Sequence, residues 1–257
     1  MNTENITVVD DQGVRLVTMD RPEKKNAITQ DMYSAMADAI NAAQQDPDLR
    51  VVVLTGAGDV FTAGNDMAAF LNPQSRMGEP DLPVEQFLRA ILNARKPLIG
   101  AVGGLAIGIG VTMLLHCDLV YAGQSASFST PFVNLGLMPE AGSSLLLPFA
   151  VGPKAAAQML MFGDPVDADT AFRTGLINAV FPDHALMDET IKRAHILAAK
   201  PPEALLAIKA LLKRAPEAPA KRMARESALF AERLNSPECH EAASAFFEKR
   251  KPDFSGL

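Results

Sequence analysis

The chain has 257 residues, of which 48% are hydrophobic and 21% charged, and its 24 basic and 30 acidic side chains give a formal net charge of −6. This composition fits one large domain or a core with an appendage. It excludes an intrinsically disordered chain, which lacks the apolar mass to offset the entropy of ordering. The acidic balance argues against a general nucleic-acid-binding protein, which needs a basic face.

The two cysteines, Cys117 and Cys239, are too few for a disulfide framework or a cysteine-rich zinc site. The histidines are scattered along the chain, so we expect no metal centre. Two thiols suit a reducing compartment, and the segment before Gly13 has neither the basic nor the apolar region of a secretory signal. These features predict a cytoplasmic protein.

One uncharged segment, Leu98–Leu115, is long enough to be scored as a membrane span. Its many glycines do not suit a single helix. The pattern instead predicts a short strand over Leu98–Val102, a glycine turn, and a buried helix over Ile109–Leu115. We therefore expect no membrane association.

The N-terminal patterns predict strands before helices. The β-rich runs Ile6–Asp10 and Val14–Asp20 predict a hairpin, and Thr29 is expected to cap a helix whose apolar residues recur at helical spacing. The continuous apolar run Val51–Thr55 is typical of a strand that is buried on both faces. A short helix near Met67–Leu71 and a mobile surface loop over Asn72–Pro83 follow.

The rest of the chain alternates helices with strands and ends in helices only, which predicts an α/β architecture with a helical C-terminal appendage. A loop of apolar content is expected over Pro131–Gly142. The other predicted helices cover Val84–Arg95, Ser143–Val151, Lys154–Phe162, Asp167–Arg173, Met187–Ala199, Glu203–Leu212, Lys221–Leu234 and Pro237–Lys249, and the other predicted strands cover Leu119–Ala122 and Ile177–Phe181.

Two glycine-bearing segments, Phe61–Asp66 and Gly104–Gly110, each follow a predicted buried strand. Each can present a free backbone N–H group, and two converging N–H groups form an oxyanion hole that holds an enolate or a tetrahedral intermediate. The alternative interpretation is that these glycines only permit tight turns and close packing. The residues alone leave both interpretations open.

These two segments and Arg21–Ala27 resemble, in order and spacing, the three signatures of the enoyl-CoA hydratase/isomerase (crotonase) superfamily. The resemblance continues to the closing Phe246–Lys251 segment and covers nearly the whole chain. It implies a crotonase-like spiral of ββα turns over residues 1–200 and a helical trimerisation region over residues 201–257. It further implies a homotrimer or a dimer of trimers, and an acyl-CoA thioester substrate with no separate cofactor.

The resemblance also assigns roles by position. It makes the N–H groups of Asn65 and Ile109 the oxyanion donors. It places the adenine and phosphoribose of coenzyme A near Lys24 and Ala27, and the thioester and pantetheine near Ala63 and Asn65.

At the C-terminus, Phe246 and Lys249 resemble residues that contact coenzyme A, in some members across a subunit boundary. An ordinary solvated lysine remains the alternative for Lys24 and Lys249. Asp66 is expected to cap a helix, and Asp118 to hold a turn.

The acidic residues indicate the reaction. Hydratases of this family use two glutamates, at positions occupied here by Thr112 and Phe132, so a two-carboxylate hydration is not expected. The loop around Glu140 resembles the peroxisomal-type Δ3,Δ2-enoyl-CoA isomerases, whose single base is a glutamate at this place. One carboxylate can remove a proton from C2 and return it at C4. Apolar neighbours such as Leu137 would raise its pKa, and Thr112, Phe132 and Leu137 are expected in the substrate pocket.

Three alternatives remain open at this point. Glu140 could be a solvent-facing residue at the start of a helix. The chain could be an enoyl-CoA hydratase that works through Glu140 and a water held by Thr112 or by a backbone group. It could also be a non-catalytic acyl-CoA-binding protein. The length and branching of the acyl chain are not readable from the sequence.

Overall fold

The computed structural model describes residues 4–67, 82–213, 219–234 and 236–254, with the backbone alone described at positions 219, 220, 224, 231 and 234. The strands are β1 (Ile6–Asp11), β2 (Val14–Met19), β3 (Val51–Gly56), β4 (Leu98–Val102), β5 (Leu105–Ile107), β6 (Leu119–Gly123), β7 (Ser127–Ser129), β8 (Val166–Asp167) and β9 (Ala179–Phe181). The helices are α1 (Gln30–Gln45), α2 (Pro83–Asn93), α3 (Ile109–Thr112), α4 (Ser143–Val151), α5 (Pro153–Phe162), α6 (Ala168–Thr174), α7 (Leu186–Ala198), α8 (Pro202–Leu212), α9 (Pro219–Leu234) and α10 (Pro237–Glu248).

Six strands form one mixed sheet in the order β1-β2-β3-β4-β6-β9. The predicted hairpin is confirmed: β1 and β2 pair in antiparallel fashion around Gln12 and Gly13, whose φ angles of 45° and 81° match the twist of a two-residue hairpin turn. The remaining neighbours in this sheet pair in parallel. Each parallel step needs a crossover connection, which places helices on the faces of the sheet.

The central strand β3 is buried on both faces, as its apolar run predicts. Val52 and Leu54 point into a core shared with α1, whereas Val51 and Val53 point into a second core shared with Leu186 and other residues of α7. Successive side chains of a strand alternate between its faces, so a strand covered by helices on both sides needs an apolar residue at every position.

Thr29 caps α1 as predicted, because its hydroxyl accepts the N–H group of Met32 at 3.3 Å. The predicted helix near Met67–Leu71 and most of the loop before residue 84 lie outside the described residues, and α2 begins at Pro83. The other predicted helices and strands are found with ends that differ by a few residues.

A second, three-stranded sheet of β5, β7 and β8 was not predicted. Its strands have two or three residues each, which is too short for a hydrophobic period to show. The predicted helix over Ile109–Leu115 is also divided, because α3 ends at Thr112 and a 3₁₀ turn continues to His116. In the described part of the chain, no helix is long and apolar enough to cross a membrane.

Helix α8 attaches to the sheet through a partly buried ion pair. The ammonium group of Lys209, in α8, donates to the Asp118 carboxylate at 2.6 Å and to the Lys96 carbonyl at 2.7 Å. Asp118 also accepts the N–H group of Leu98 at 2.8 Å, which confirms it as a structural residue between β4 and β6. The division of the chain at residue 200 stays a prediction.

Candidate active site

The two glycine-bearing segments lie side by side. The N–H group of Thr62 donates to the Leu105 carbonyl at 2.9 Å, and the N–H group of Ile107 donates back to the Thr62 carbonyl at 3.1 Å. Gly64 permits this approach, because a Cβ atom there would lie 2.8 Å from the Ile107 carbonyl oxygen. Since Asn65 lies in one segment and Ile109 in the other, the pairing brings the two predicted oxyanion donors close together.

Asn65 and Ile109 line one cavity of about 250 Å³. Across the described ranges, neither of their N–H groups donates to a protein acceptor. Ile109 is the first residue of α3, where an N–H group has no partner inside the helix. Gly108 precedes it with φ 58° and ψ −114°, a conformation that suits glycine. Two free N–H groups on one cavity can stabilise an oxyanion.

The segment predicted to bind coenzyme A runs beside this cavity. The N–H group of Ala63 donates to the Lys25 carbonyl at 2.9 Å, and the Ala27 carbonyl accepts the Arg21 guanidinium at 3.1 Å. Lys24 is exposed and does not line the cavity. The segment therefore lies next to the pocket, and the exposed Lys24 side chain lies outside the cavity lining.

The capping role expected for Asp66 stays a prediction. Its carboxylate accepts the Arg21 guanidinium at 2.6 Å, in an ion pair that joins the first signature segment to the second. The helix that it was expected to cap lies outside the described residues.

Glu140 lines the same cavity as the two free N–H groups. The Thr112 hydroxyl, which is fully buried, donates to its Oε1. Burial raises the pKa of the Glu140 carboxyl above its ordinary value, the Thr112 bond acts in the opposite direction, and the negative charge of Glu85 raises the pKa further. Within the described residues Oε2 has no hydrogen-bond partner, so a carboxylate oxygen remains available to a ligand.

The backbone around Glu140 argues against the alternative that it caps a helix. The residue that precedes α4 is Gly142, with φ 70° and no side-chain cap. The Glu140 carbonyl accepts the Ser143 N–H group at 3.0 Å and the Ser143 hydroxyl at 2.7 Å. Its side chain instead bonds to Thr112, away from the start of α4.

Phe132 and Leu137 line the cavity as predicted. Thr112 does not line it: its side chain is fully buried and donates to the Glu140 carboxylate, and its N–H group donates to the Gly108 carbonyl at 3.1 Å. Phe246, on α10, is 78% exposed, and Lys249 follows α10 on the surface. Neither lines the cavity, so one chain does not bring these two residues to the site.

Sequence reasoning missed Tyr33. Its hydroxyl, fully buried, donates to the Asn65 side-chain oxygen at 2.5 Å. Burial raises the pKa of Tyr33 well above its ordinary value, and the negative charge of Glu140 adds to this effect. A tyrosine in the buried stripe of a helix needs a partner for its hydroxyl, and that requirement was the only available signal.

In the parts of the chain that the structure describes, no three histidine, cysteine, aspartate or glutamate side chains cluster as metal ligands would. The groups facing the cavity are thus one carboxylate, two backbone donors and apolar side chains. This combination suits proton transfer next to a carbonyl that becomes an enolate.

Comparison with known proteins agrees with this chemistry. A family model described as enoyl-CoA hydratase/isomerase matches residues 10–256. The chain belongs to this family. Enoyl-CoA delta isomerase 2 of Homo sapiens is 35% identical over 253 residues, which cover 96% of this chain and 64% of the human protein. The 2,3-dehydroadipyl-CoA hydratase of Escherichia coli (strain K12) is 34% identical over 252 residues, covering 95% of this chain and 96% of that protein.

The chain spans only 55% and 64% of the rat and human delta isomerases that it matches. A solved structure from Magnetospirillum magneticum AMB-1, described with the words enoyl-CoA hydratase/carnithine racemase, has a TM-score of 0.94 at 45% identity. The match covers 99% of this chain and 100% of that one. The crotonase-like α/β fold expected from the resemblance is confirmed.

Proposed function

We propose that this member of the enoyl-CoA hydratase/isomerase family is a Δ3,Δ2-enoyl-CoA isomerase with Glu140 as its single base. The Glu140 carboxylate removes a proton from C2 of a 3-enoyl-CoA, and the electron pair moves into the thioester to form a dienolate. The N–H groups of Asn65 and Ile109 bind the dienolate oxygen. Protonated Glu140 then returns the proton at C4, which leaves a conjugated 2-enoyl-CoA and regenerates the carboxylate.

One observation carries the proposal. Glu140 and two free N–H groups face one small, mostly apolar cavity, while Thr112 and Phe132 occupy the positions where the resemblance places the two hydratase glutamates. Isomerisation moves one proton and needs one group to carry it. Hydration also requires a group that orients and activates water.

Burial suits Glu140 to both halves of the reaction. A carboxyl whose pKa is raised by burial is a stronger base than an exposed carboxylate, and it holds the transferred proton long enough to return it. The Thr112 bond fixes one carboxylate oxygen. The second oxygen can then reach both C2 and C4 from one face of the planar dienolate.

We further propose that coenzyme A lies along the Lys24–Ala27 segment, with Ala63 beside the thioester. Phe246 and Lys249 would complete this subsite only in an assembly, because they do not line the cavity of their own chain. Large exposed apolar side chains on the C-terminal helices, such as Phe230 and Phe247, support burial against neighbouring copies. Light scattering should give the mass of a trimer or a hexamer, and a monomer would oppose this part of the proposal.

A hydratase is the second candidate. It is favoured by the similarity to the Escherichia coli hydratase over nearly the full length of both proteins. In this case a water would have to be held by a backbone group at the cavity, because the Thr112 hydroxyl is buried and donates to Glu140, which would act as the acid and base. A cytoplasmic location and the exclusion of nucleic acids and membranes stay predictions.

The decisive experiment assays the wild type, Glu140→Gln and Glu189→Gln on 3-hexenoyl-CoA and on crotonyl-CoA. Glu189 is a surface carboxylate of α7 that pairs with Lys192, so its variant controls for the loss of a charge. Appearance of the conjugated thioester absorbance reports isomerisation, and its loss from crotonyl-CoA reports hydration.

We expect wild type and Glu189→Gln to isomerise equally, and Glu140→Gln to be slower by ~10²–10⁴-fold. Hydration of crotonyl-CoA without isomerisation would favour the second candidate. Tight coenzyme A binding without turnover of any thioester would indicate a binding protein.

A further inference from the structure

His116 contacts the loop that carries Glu140. It ends the 3₁₀ turn after α3, is 8% exposed, and places its Nε2 2.8 Å from the Ala141 carbonyl oxygen. A carbonyl oxygen can only accept a hydrogen bond, so Nε2 carries the proton and donates it. Burial has the largest effect on the pKa of His116 and lowers it, the bond to the Ala141 carbonyl raises it, and the positive charge of Lys213 lowers it. The net direction is downward, which favours the neutral ring.

Ala141 directly follows Glu140 and has an unusual backbone. Its φ of 54° is in the left-handed region, which costs energy for a residue with a Cβ atom. Such a conformation persists only where the surroundings hold it in place. Ser143 holds the carbonyl of Glu140, and His116 holds the next carbonyl along the chain. The carbonyl groups of Glu140 and Ala141 are thus both held by hydrogen bonds, which fixes the backbone directly after the base.

The same segment that holds this loop also begins the oxyanion site. Residues 109–116 supply the free N–H group of Ile109 at their start, the Thr112 hydroxyl to the Glu140 carboxylate, and the His116 imidazole to the backbone after Glu140. A thioester bound between base and oxyanion donors requires a fixed distance between them. Contacts from one rigid segment to both ends of the site can set that distance.

We propose that His116 is a positioning residue for Glu140, which fixes the base relative to the oxyanion N–H groups through the Ala141 carbonyl. This inference rests on the proposed role of Glu140 as the base. It does not depend on whether the chain isomerises or hydrates its substrate. His116 lies outside the cavity lining, so its loss should change the rate of proton transfer and leave substrate binding nearly unchanged.

The test uses a reaction that needs only a base and an oxyanion hole: exchange of the C2 protons of butyryl-CoA for deuterium in D₂O, followed by NMR. His116→Leu removes the donor but keeps an apolar side chain in the buried site. His116→Gln can present an amide N–H group at the place of Nε2, and His116→Asn is too short to do so. Thermal unfolding establishes that each variant is folded.

We expect His116→Leu and His116→Asn to lower the maximal exchange rate by ~10- to 100-fold, with a KM within about threefold of wild type. His116→Gln should restore most of the rate. In a Glu140→Gln background the residual rate should not respond to His116→Leu. If His116→Leu does not fold, the contrast between the Gln and Asn variants decides the question.

Other results separate this inference from the proposed function. The positioning role is wrong if His116→Leu and His116→Asn both exchange protons at the wild-type rate. It is also wrong if these variants change KM and leave the maximal exchange rate unaltered. If the wild type exchanges these protons but does not isomerise 3-hexenoyl-CoA, the proposed isomerase function is wrong. The exchange rates of the His116 variants would still decide whether His116 positions the base. Absence of exchange, isomerisation and hydration in the wild type would remove Glu140 as the base, and both proposals with it.

Discussion

Replacement of Thr112 by valine is the most direct test of the contact that fixes Glu140. Valine has nearly the shape of threonine, and the Thr112 side chain is fully buried, so the change exchanges a hydroxyl for a methyl group without opening a cavity. It removes the donor to Oε1 of the carboxylate. A hydrogen bond to a charged group contributes ~1.5–3 kcal/mol, which sets the scale of the effect.

The sign of the effect follows from the contact. The Thr112 bond lowers the pKa of Glu140, against the larger upward effect of burial, so its removal raises that pKa further above the ordinary carboxyl value. Less of the base is then ionised at neutral pH. We expect kcat/KM at pH 7 to fall by at least about tenfold, equivalent to ~1.4 kcal/mol, and to recover partly as the pH is raised.

Stability should follow the same sign. Because the pKa of Glu140 in folded Thr112→Val is higher than in the folded wild type, the variant loses more stability than wild type as the pH rises through these pKa values. The deficit of Thr112→Val should therefore be present at pH 8, at ~1.5–3 kcal/mol, and shrink as the pH falls towards the ordinary carboxyl pKa. Urea unfolding at several pH values measures it.

Two variants serve as controls. Thr112→Ser keeps the hydroxyl donor and should retain the wild-type pH profile. Thr55→Val removes a buried hydroxyl that donates to the Ala101 carbonyl at 3.0 Å and not to a carboxylate, and should cost stability without moving the pH profile. A Thr112→Val enzyme with wild-type rate and wild-type pH profile would refute the reasoning.

Three further outcomes are expected. Glu140→Gln should raise the free energy of unfolding by ~0.5–2 kcal/mol at pH 8, because it removes a buried charge. This gain should fade as the pH falls and the wild-type carboxyl becomes neutral. Calorimetry that shows no pH-dependent difference between the two proteins would contradict this prediction. Tyr33→Phe removes the donor to Asn65 and should lower kcat by roughly three- to tenfold with little change in KM. A steady-state assay in which only KM changes would contradict this role for Tyr33. Lys209→Met leaves the partly exposed Asp118 without its partner and should cost ~2–4 kcal/mol in urea unfolding, part of which Lys209→Met/Asp118→Asn should restore.

The order of elements could be predicted because its signals are local. The hairpin, the cap at Thr29 and the apolar run of β3 each follow from residues that are adjacent in sequence or one turn apart. The strands β5, β7 and β8 could not be predicted in the same way, because they exist only through pairing with one another. Their residues carry too few apolar positions to distinguish a strand from a turn.

The candidate site divides along the same line. The sequence alone indicated the family, the two glycine-bearing segments and Glu140, because backbone donors in tight turns require glycine nearby and a lone carboxylate in an apolar loop is conspicuous. It placed Thr112 in the pocket, whereas the fold buries Thr112 beneath the base. It offered no role for Tyr33 or for His116.

Tertiary structure alone decided how the catalytic groups are held. The bonds from Thr112 to Glu140, from His116 to Ala141 and from Tyr33 to Asn65 join residues that are 28, 25 and 32 positions apart. Each bond forms because packing on the sheet brings together segments that have no contact along the chain. Composition and periodicity indicate which side chains are buried. The hydrogen-bond partner of a buried side chain depends on which helices and strands the fold places beside it.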